Sequence, residues 1–94
     1  MKVFYLKNKL VYINNYNGYK VILKYSYRKK KSLTIYCDGD VFFYDLSSYD
    51  DGVKWSKMVE TIVSNGALGY FGHTNREKLS AIIGALLEFV LVFS

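Results

Sequence analysis

Proline and glutamine are absent from the 94 residues, and arginine occurs only twice against eleven lysines. Together with ten tyrosines and six phenylalanines, this is the bias that AT-rich coding imposes, and it points to an AT-rich genome or to its viruses and plasmids. The single cysteine, Cys37, excludes an intramolecular disulfide and fits a reducing interior. With one histidine, His73, beside that one cysteine, no ordinary zinc set is available. The opening MKVFYLKNKL lacks the long apolar core of a secretory signal. The apolar run from Leu79 to Phe93 falls short of the ~20 residues that span a bilayer, and Glu88 interrupts it. These absences lead us to expect a protein of the host cytoplasm with no membrane partner.

Familiar catalytic devices are missing as well. The chain has no glycine-rich phosphate loop, no nucleophile elbow, no paired carboxylates at helical spacing and no argued triad around His73. Asp38 and Asp40 flank a turn glycine, which turn chemistry explains, while Asp45, Asp50 and Asp51 read as capping or solvating groups, with magnesium ligation as the alternative. We expect no metal and no cofactor.

Acid is missing from one half of the chain. Met1 to Cys37 carry eight lysines and Arg28 with no acid, a charge of +9, whereas Asp38 to Ser94 carry four bases and eight acids, −4, giving the net +5. Clustered like charge raises the local potential and favours an anionic partner for the N-terminal half.

The patterning predicts a single α+β domain over residues 1–94: an antiparallel sheet of four to five strands packed against two helices. Residues 1–46 read as a basic β-meander. Its strands are expected at Lys2–Lys7, Leu10–Tyr16, Tyr19–Tyr27, Leu33–Cys37 and Val41–Asp45, with Asn8-Lys9 as a polar corner. Asn17-Gly18 is a type I′ hairpin signal, and Asp38-Gly39 turns a second hairpin. Alternation puts Val21, Leu23, Tyr25 and Tyr27 on one face and Lys20, Ile22, Lys24, Ser26 and Arg28 on the other. Residues 50–94 read as helix, short strand, helix and apolar tail. Trp55, Met58, Val59, Ile62 and Val63 recur at helical spacing, with Asp50 or Asp51 as cap and Asn65-Gly66 as the end. Phe71-Gly72-His73 forms a short apolar run into a second helix over about 74–86. Glu88 to Phe93, β-branched and aromatic, reads as a buried strand in the sheet or at a homodimer interface, with continuation of the helix as the competing reading.

Aromatics interleaved with bases, as in Tyr19-Lys20, Lys24-Tyr25 and Tyr27-Arg28, suit a surface on which nucleobases stack while cations hold phosphates. Lys20, Lys24, Arg28, Lys29, Lys30 and Lys31 are therefore candidate ligand contacts. At the handover from strand to helix around His73, unpaired N–H groups favour an anion, which adds Thr74 and Arg76.

The segment Asn65-Gly66, then four residues, then Phe71-Gly72-His73, followed by Leu79 and Ile83, resembles part of the viral ring nuclease family, type III anti-CRISPR proteins that bind and cleave cyclic tetra-adenylate. The opening Tyr5-Leu6-Lys7-Asn8-Lys9-Leu10 also resembles that family's start. The resemblance implies that His73 is the catalytic general acid and Asn8 a ligand contact. Arg76 departs from it, standing where the family has threonine, Gly84 comes one residue early, and the family's C-terminal half has no counterpart here. The expected function is thus that of a small viral or mobile-element counter-defence protein. It would bind a cyclic oligoadenylate or other phosphate-rich ligand, with cleavage, if any, metal-independent through His73. The alternatives are an inhibitor that contacts a host defence protein and a general DNA or RNA binder.

Overall fold

In the computed structural model, the described residues are 1–27, 31–47, 57, 60, 64 and 76–93. The first half is a five-stranded antiparallel meander in the order β1-β2-β3-β4-β5. Its strands are β1 (Lys2–Leu6), β2 (Lys9–Tyr16), β3 (Tyr19–Ser26), β4 (Ser32–Cys37) and β5 (Asp40–Asp45). Neighbours in sequence are neighbours in space because short turns leave a strand nowhere else to pair. Three of those turns have two central residues at positive φ: Lys7 and Asn8 at 38° and 66°, Asn17 and Gly18 at 51° and 81°, Asp38 and Gly39 at 49° and 87°. This is the type I′ signature, whose twist matches that of the flanking strands. The first turn differs by one residue from the expected corner: it is Lys7-Asn8, because Leu6 pairs with Lys9.

One face of the sheet is dry. Leu10 and Tyr12 of β2, Val21 and Leu23 of β3, and Leu33, Ile35 and Cys37 of β4 point to it and are buried. The C-terminal helix, Arg76–Phe93, covers them. Its buried residues are Ala81, Ile82, Ala85, Leu86 and Phe89, one stripe at helical spacing. Small Ala81 and Ala85 let the helix approach the sheet, and Phe89 meets Tyr12 edge to face at 5.8 Å between ring centroids. Each fully buried large side chain contributes ~1.5–3 kcal/mol.

The expected C-terminal strand is corrected by this helix, which runs through Glu88 to Phe93. Local composition there favours a strand, but propensity yields to packing. As a helix, the segment continues the stripe Ile82, Ala85, Leu86, Phe89 onto the sheet; as a strand it would send alternate apolar residues to opposite sides. The helix also extends beyond the expected end at Leu86. Of the expected first helix, Lys57, Glu60 and Ser64 are helical and exposed, as the outer positions of such a pattern should be. The residues that define its apolar face, Trp55, Met58, Val59, Ile62 and Val63, lie outside the described set, as do Asp50, Asp51, Asn65, Gly66 and the Phe71-Gly72-His73 strand. Among the described residues no helix is long and apolar enough to cross a membrane.

Candidate ligand-binding face

Strand alternation settles which basic residues share a surface. With Val21, Leu23 and Tyr25 turned to the helix, Lys20, Ile22, Lys24 and Ser26 turn to the far face. The registers Lys2↔Ile13, Leu6↔Lys9, Val11↔Lys24, Ile13↔Ile22, Asn15↔Lys20 and Ile22↔Tyr36 then assemble that face. Lys2, Lys9, Lys20 and Lys24 stand on it around a patch of Phe4, Ile13, Ile22 and Tyr36, while Val11 on the same face is buried. Among the acids of the five strands, the one on this face is Asp45, at the far end of β5, whose Oδ1 accepts the Ser47 N–H at 2.9 Å. The Lys24 ammonium lies 5.1 Å from the centroid of the Tyr36 ring, an arrangement that holds the cation beside an aromatic surface. None of these four lysines forms an ion pair with a described carboxylate. Lys78 does: its Nζ is 2.7 Å from Asp40 Oδ2 and 3.8 Å from Asp38 Oδ2, and this pairing raises its pKa.

The sequence-predicted contacts do not all meet. Lys20 and Lys24 lie on the same face, four residues and so ~13 Å apart along β3. Lys31 immediately precedes β4, where Ser32 pairs with the far-face Ser26 and Leu33 with Tyr25, so alternation turns Lys31 to the helix side; its carbonyl accepts the Leu46 N–H at 2.8 Å. Asn8 sits in the β1–β2 turn, where its carbonyl accepts the Tyr27 N–H at 3.5 Å. Arg76 opens the helix at the other end of the sheet, two residues before Lys78 and its Asp38–Asp40 turn. Asn8 and Arg76 therefore do not share a site. Arg28, Lys29, Lys30, His73 and Thr74 lie outside the described residues.

Sequence reading missed a polar cluster on the helix side. Glu88 Oε1 accepts the Tyr12 hydroxyl at 2.9 Å and the Asn14 amide at 3.0 Å, and Oε2 accepts the Tyr16 hydroxyl. Both phenolic hydrogens are directed at the carboxylate, so the 3.2 Å approach of the two hydroxyl oxygens adds no third bond. The Tyr16 hydrogen bond, foremost, holds the Glu88 carboxyl below its ordinary pKa, with further help from Tyr12 and Asn14. Burial raises the pKa of both Tyr12 and Tyr16. The available signal was alternation: Tyr12, Asn14 and Tyr16 are three polar-tipped residues at period two on the strand face that should be dry, facing one acid in an apolar helix. All donors and the acceptor are satisfied by one another, which makes the cluster a structural joint.

Cys37 is fully buried and burial raises its thiol pKa, which disfavours the nucleophilic thiolate. Among the described residues no group of three His, Cys, Asp or Glu side chains is placed to hold a metal ion. No family model, curated protein or solved structure matches this chain.

Proposed function

We propose that this chain is a binding protein for a phosphate-bearing nucleotide ligand, which it takes on the far face of its sheet. The observation that carries the reading is the set Lys2, Lys9, Lys20 and Lys24 around Ile13, Ile22 and Tyr36: cations positioned for phosphates beside apolar and aromatic surface for bases. Cyclic oligoadenylate is the ligand implied by the resemblance of residues 65–84, and sequestering such a ligand is a counter-defence activity suited to a virus or mobile element. Cleavage would add in-line attack by the ligand's own 2′-hydroxyl, with His73 protonating the leaving oxygen. The test is a thermal-shift and binding panel of cyclic tetra-adenylate, linear tetra-adenylate and duplex DNA, with product analysis for wild type and His73→Ala. Saturable binding of an adenylate by both proteins supports sequestration, cleavage lost in His73→Ala supports a nuclease, and no binding of any nucleotide rejects the proposal.

A second reading, contact with a host defence protein, draws on exposed apolar side chains. Val41 and Phe43 on the far face are 58% and 56% exposed, and Leu87 and Leu91 on the outer side of the helix are 53% and 79% exposed. A homodimer burying Leu87 and Leu91 belongs to the same reading. Light scattering on wild type and Leu91→Lys distinguishes them: a dimer that dissociates in the variant supports self-association, and a monomer in both leaves a host protein as the partner.

A further inference from the structure

β1 stops short of its neighbour. Its pairing with β2 ends at Lys2↔Ile13, whereas β2 continues to Tyr16 against β3. The outer edge of β2 at Asn14–Tyr16 therefore has no β1 partner, and the Asn15 N–H is bonded by Asn14 Oδ1 at 2.9 Å. Beside it lies a notch of about 280 Å³ lined by Met1, Lys2, Ile13, Asn14, Asn15 and Lys20. Lys2 and Lys20 are exposed and stand on the far face on either side of Ile13 and Asn15. The nearest helix acid, Glu88, lies beyond the sheet on the helix side, where Tyr12, Asn14 and Tyr16 hold its carboxylate. The notch thus brings together the side chains of Lys2 and Lys20, two asparagines, Asn14 and Asn15, and the apolar Met1 and Ile13.

We infer that this notch seats one nucleoside monophosphate unit, with its phosphate between the Lys2 and Lys20 ammonium groups and its base toward Ile13 and Ile22. The inference rests on the proposed nucleotide-binding face and locates its phosphate subsite. Size supports a single unit: the volume is just below the ~300–1,000 Å³ typical of ligand pockets. The chemistry supports a phosphate, because flexible lysines on two strands reach an anion as point charges while the Asn15 amide donates a hydrogen bond.

The test is amide chemical-shift mapping with adenosine 5′-monophosphate, adenosine and inorganic phosphate, on wild type and on Lys2→Gln/Lys20→Gln. The substituted lysines are exposed, and an unchanged amide spectrum in the absence of ligand confirms the fold of the variant. The expected result is that the monophosphate shifts the amides of Lys2, Ile13, Asn15 and Lys20 and binds more tightly than adenosine or phosphate. The double variant should weaken it at least about fivefold, the scale of two solvent-accessible ion pairs. Shifts confined to Lys24 and Tyr36 would overturn the subsite while leaving the face reading intact. Equal affinity for phosphate and the monophosphate would overturn the nucleotide assignment, and absence of any shift would overturn both subsite and face.

Discussion

The Tyr12 hydroxyl donates to Glu88 Oε1 at 2.9 Å and so ties the second strand to the C-terminal helix across 76 positions of sequence. Tyr16 and Asn14 converge on the same carboxylate from the same strand. Hydrophobic burial along Ala81, Ile82, Ala85, Leu86 and Phe89 brings the helix to the sheet, but burial is non-directional. The three polar contacts fix where along the sheet the helix stops sliding. That placement leaves the lysine-bearing face on the other side of the sheet uncovered by this helix.

Glu88→Gln should lower stability by ~1–3 kcal/mol in urea unfolding, because two phenols and an amide lose a charged acceptor. The folded-state pKa of Glu88 is depressed, so its contribution is present above the ordinary value of 4.5 and is lost as pH falls through the lower folded value. Wild type should therefore weaken more steeply than Glu88→Gln below about pH 4.5. Parallel curves for the two proteins would show that the carboxylate is not engaged.

At the alkaline end the sign reverses. Tyr12 and Tyr16 have folded pKa values raised above the ordinary 10.0, chiefly by burial, so the unfolded chain ionises first. Their stabilising contribution is complete below pH 10 and is lost as pH rises through the folded values. Stability should fall above pH 10, and Tyr12→Phe should show a shallower fall together with a lower starting value, as read by circular dichroism.

Gly84 tests the joint from the helix side. A helical Gly→Ala change ordinarily gains ~1 kcal/mol, but a Cβ at position 84 meets Tyr16 Cδ1 at 3.2 Å and Cε1 at 3.3 Å. Tyr16 is anchored to Glu88 at its hydroxyl, so its ring cannot yield without disturbing that bond. Gly84→Ala should therefore be no more stable than wild type, whereas in a Tyr16→Leu background the same change should recover most of the ~1 kcal/mol. Equal gains in both backgrounds would contradict the contact.

Cys37 should resist thiol reagents in the native protein. It is fully buried on β4 and its pKa is raised by burial, so labelling by Ellman's reagent should proceed only as fast as the chain opens. Adding denaturant through the unfolding midpoint should release one reactive thiol, and rapid native labelling would place Cys37 at the surface instead.

The meander was readable in the sequence because its signals are local. Asn17-Gly18 and Asp38-Gly39 prescribe tight turns, and alternation along Tyr19–Ser26 separates the buried face from the basic one. The first turn was shifted by one residue because Lys7 occupies a left-handed conformation that its side chain does not advertise. The C-terminal tail reads as strand because its composition is β-prone; what decides for helix is contact with Tyr12 and the sheet core, which is non-local. For the same reason the Glu88 cluster was invisible, since its donors lie more than 70 positions away in sequence. The candidate site is only half legible. Alternation correctly joined Lys20 with Lys24, whereas the grouping of Lys31, Asn8 and Arg76 with them followed charge and resemblance, and the fold separates these residues to another face and to opposite ends.

Nucleotide binding by the lysines of the far face is testable by one titration. Its most direct measurement is the affinity of fluorescent linear tetra-adenylate for wild type, Lys20→Gln/Lys24→Gln and the opposite-face control Lys31→Gln, each across a salt series. The far-face double variant should bind at least about tenfold more weakly, with a salt slope shallower by about one to two, while Lys31→Gln stays within about twofold of wild type. Equal loss in the control, or no measurable affinity in the wild type, would contradict it.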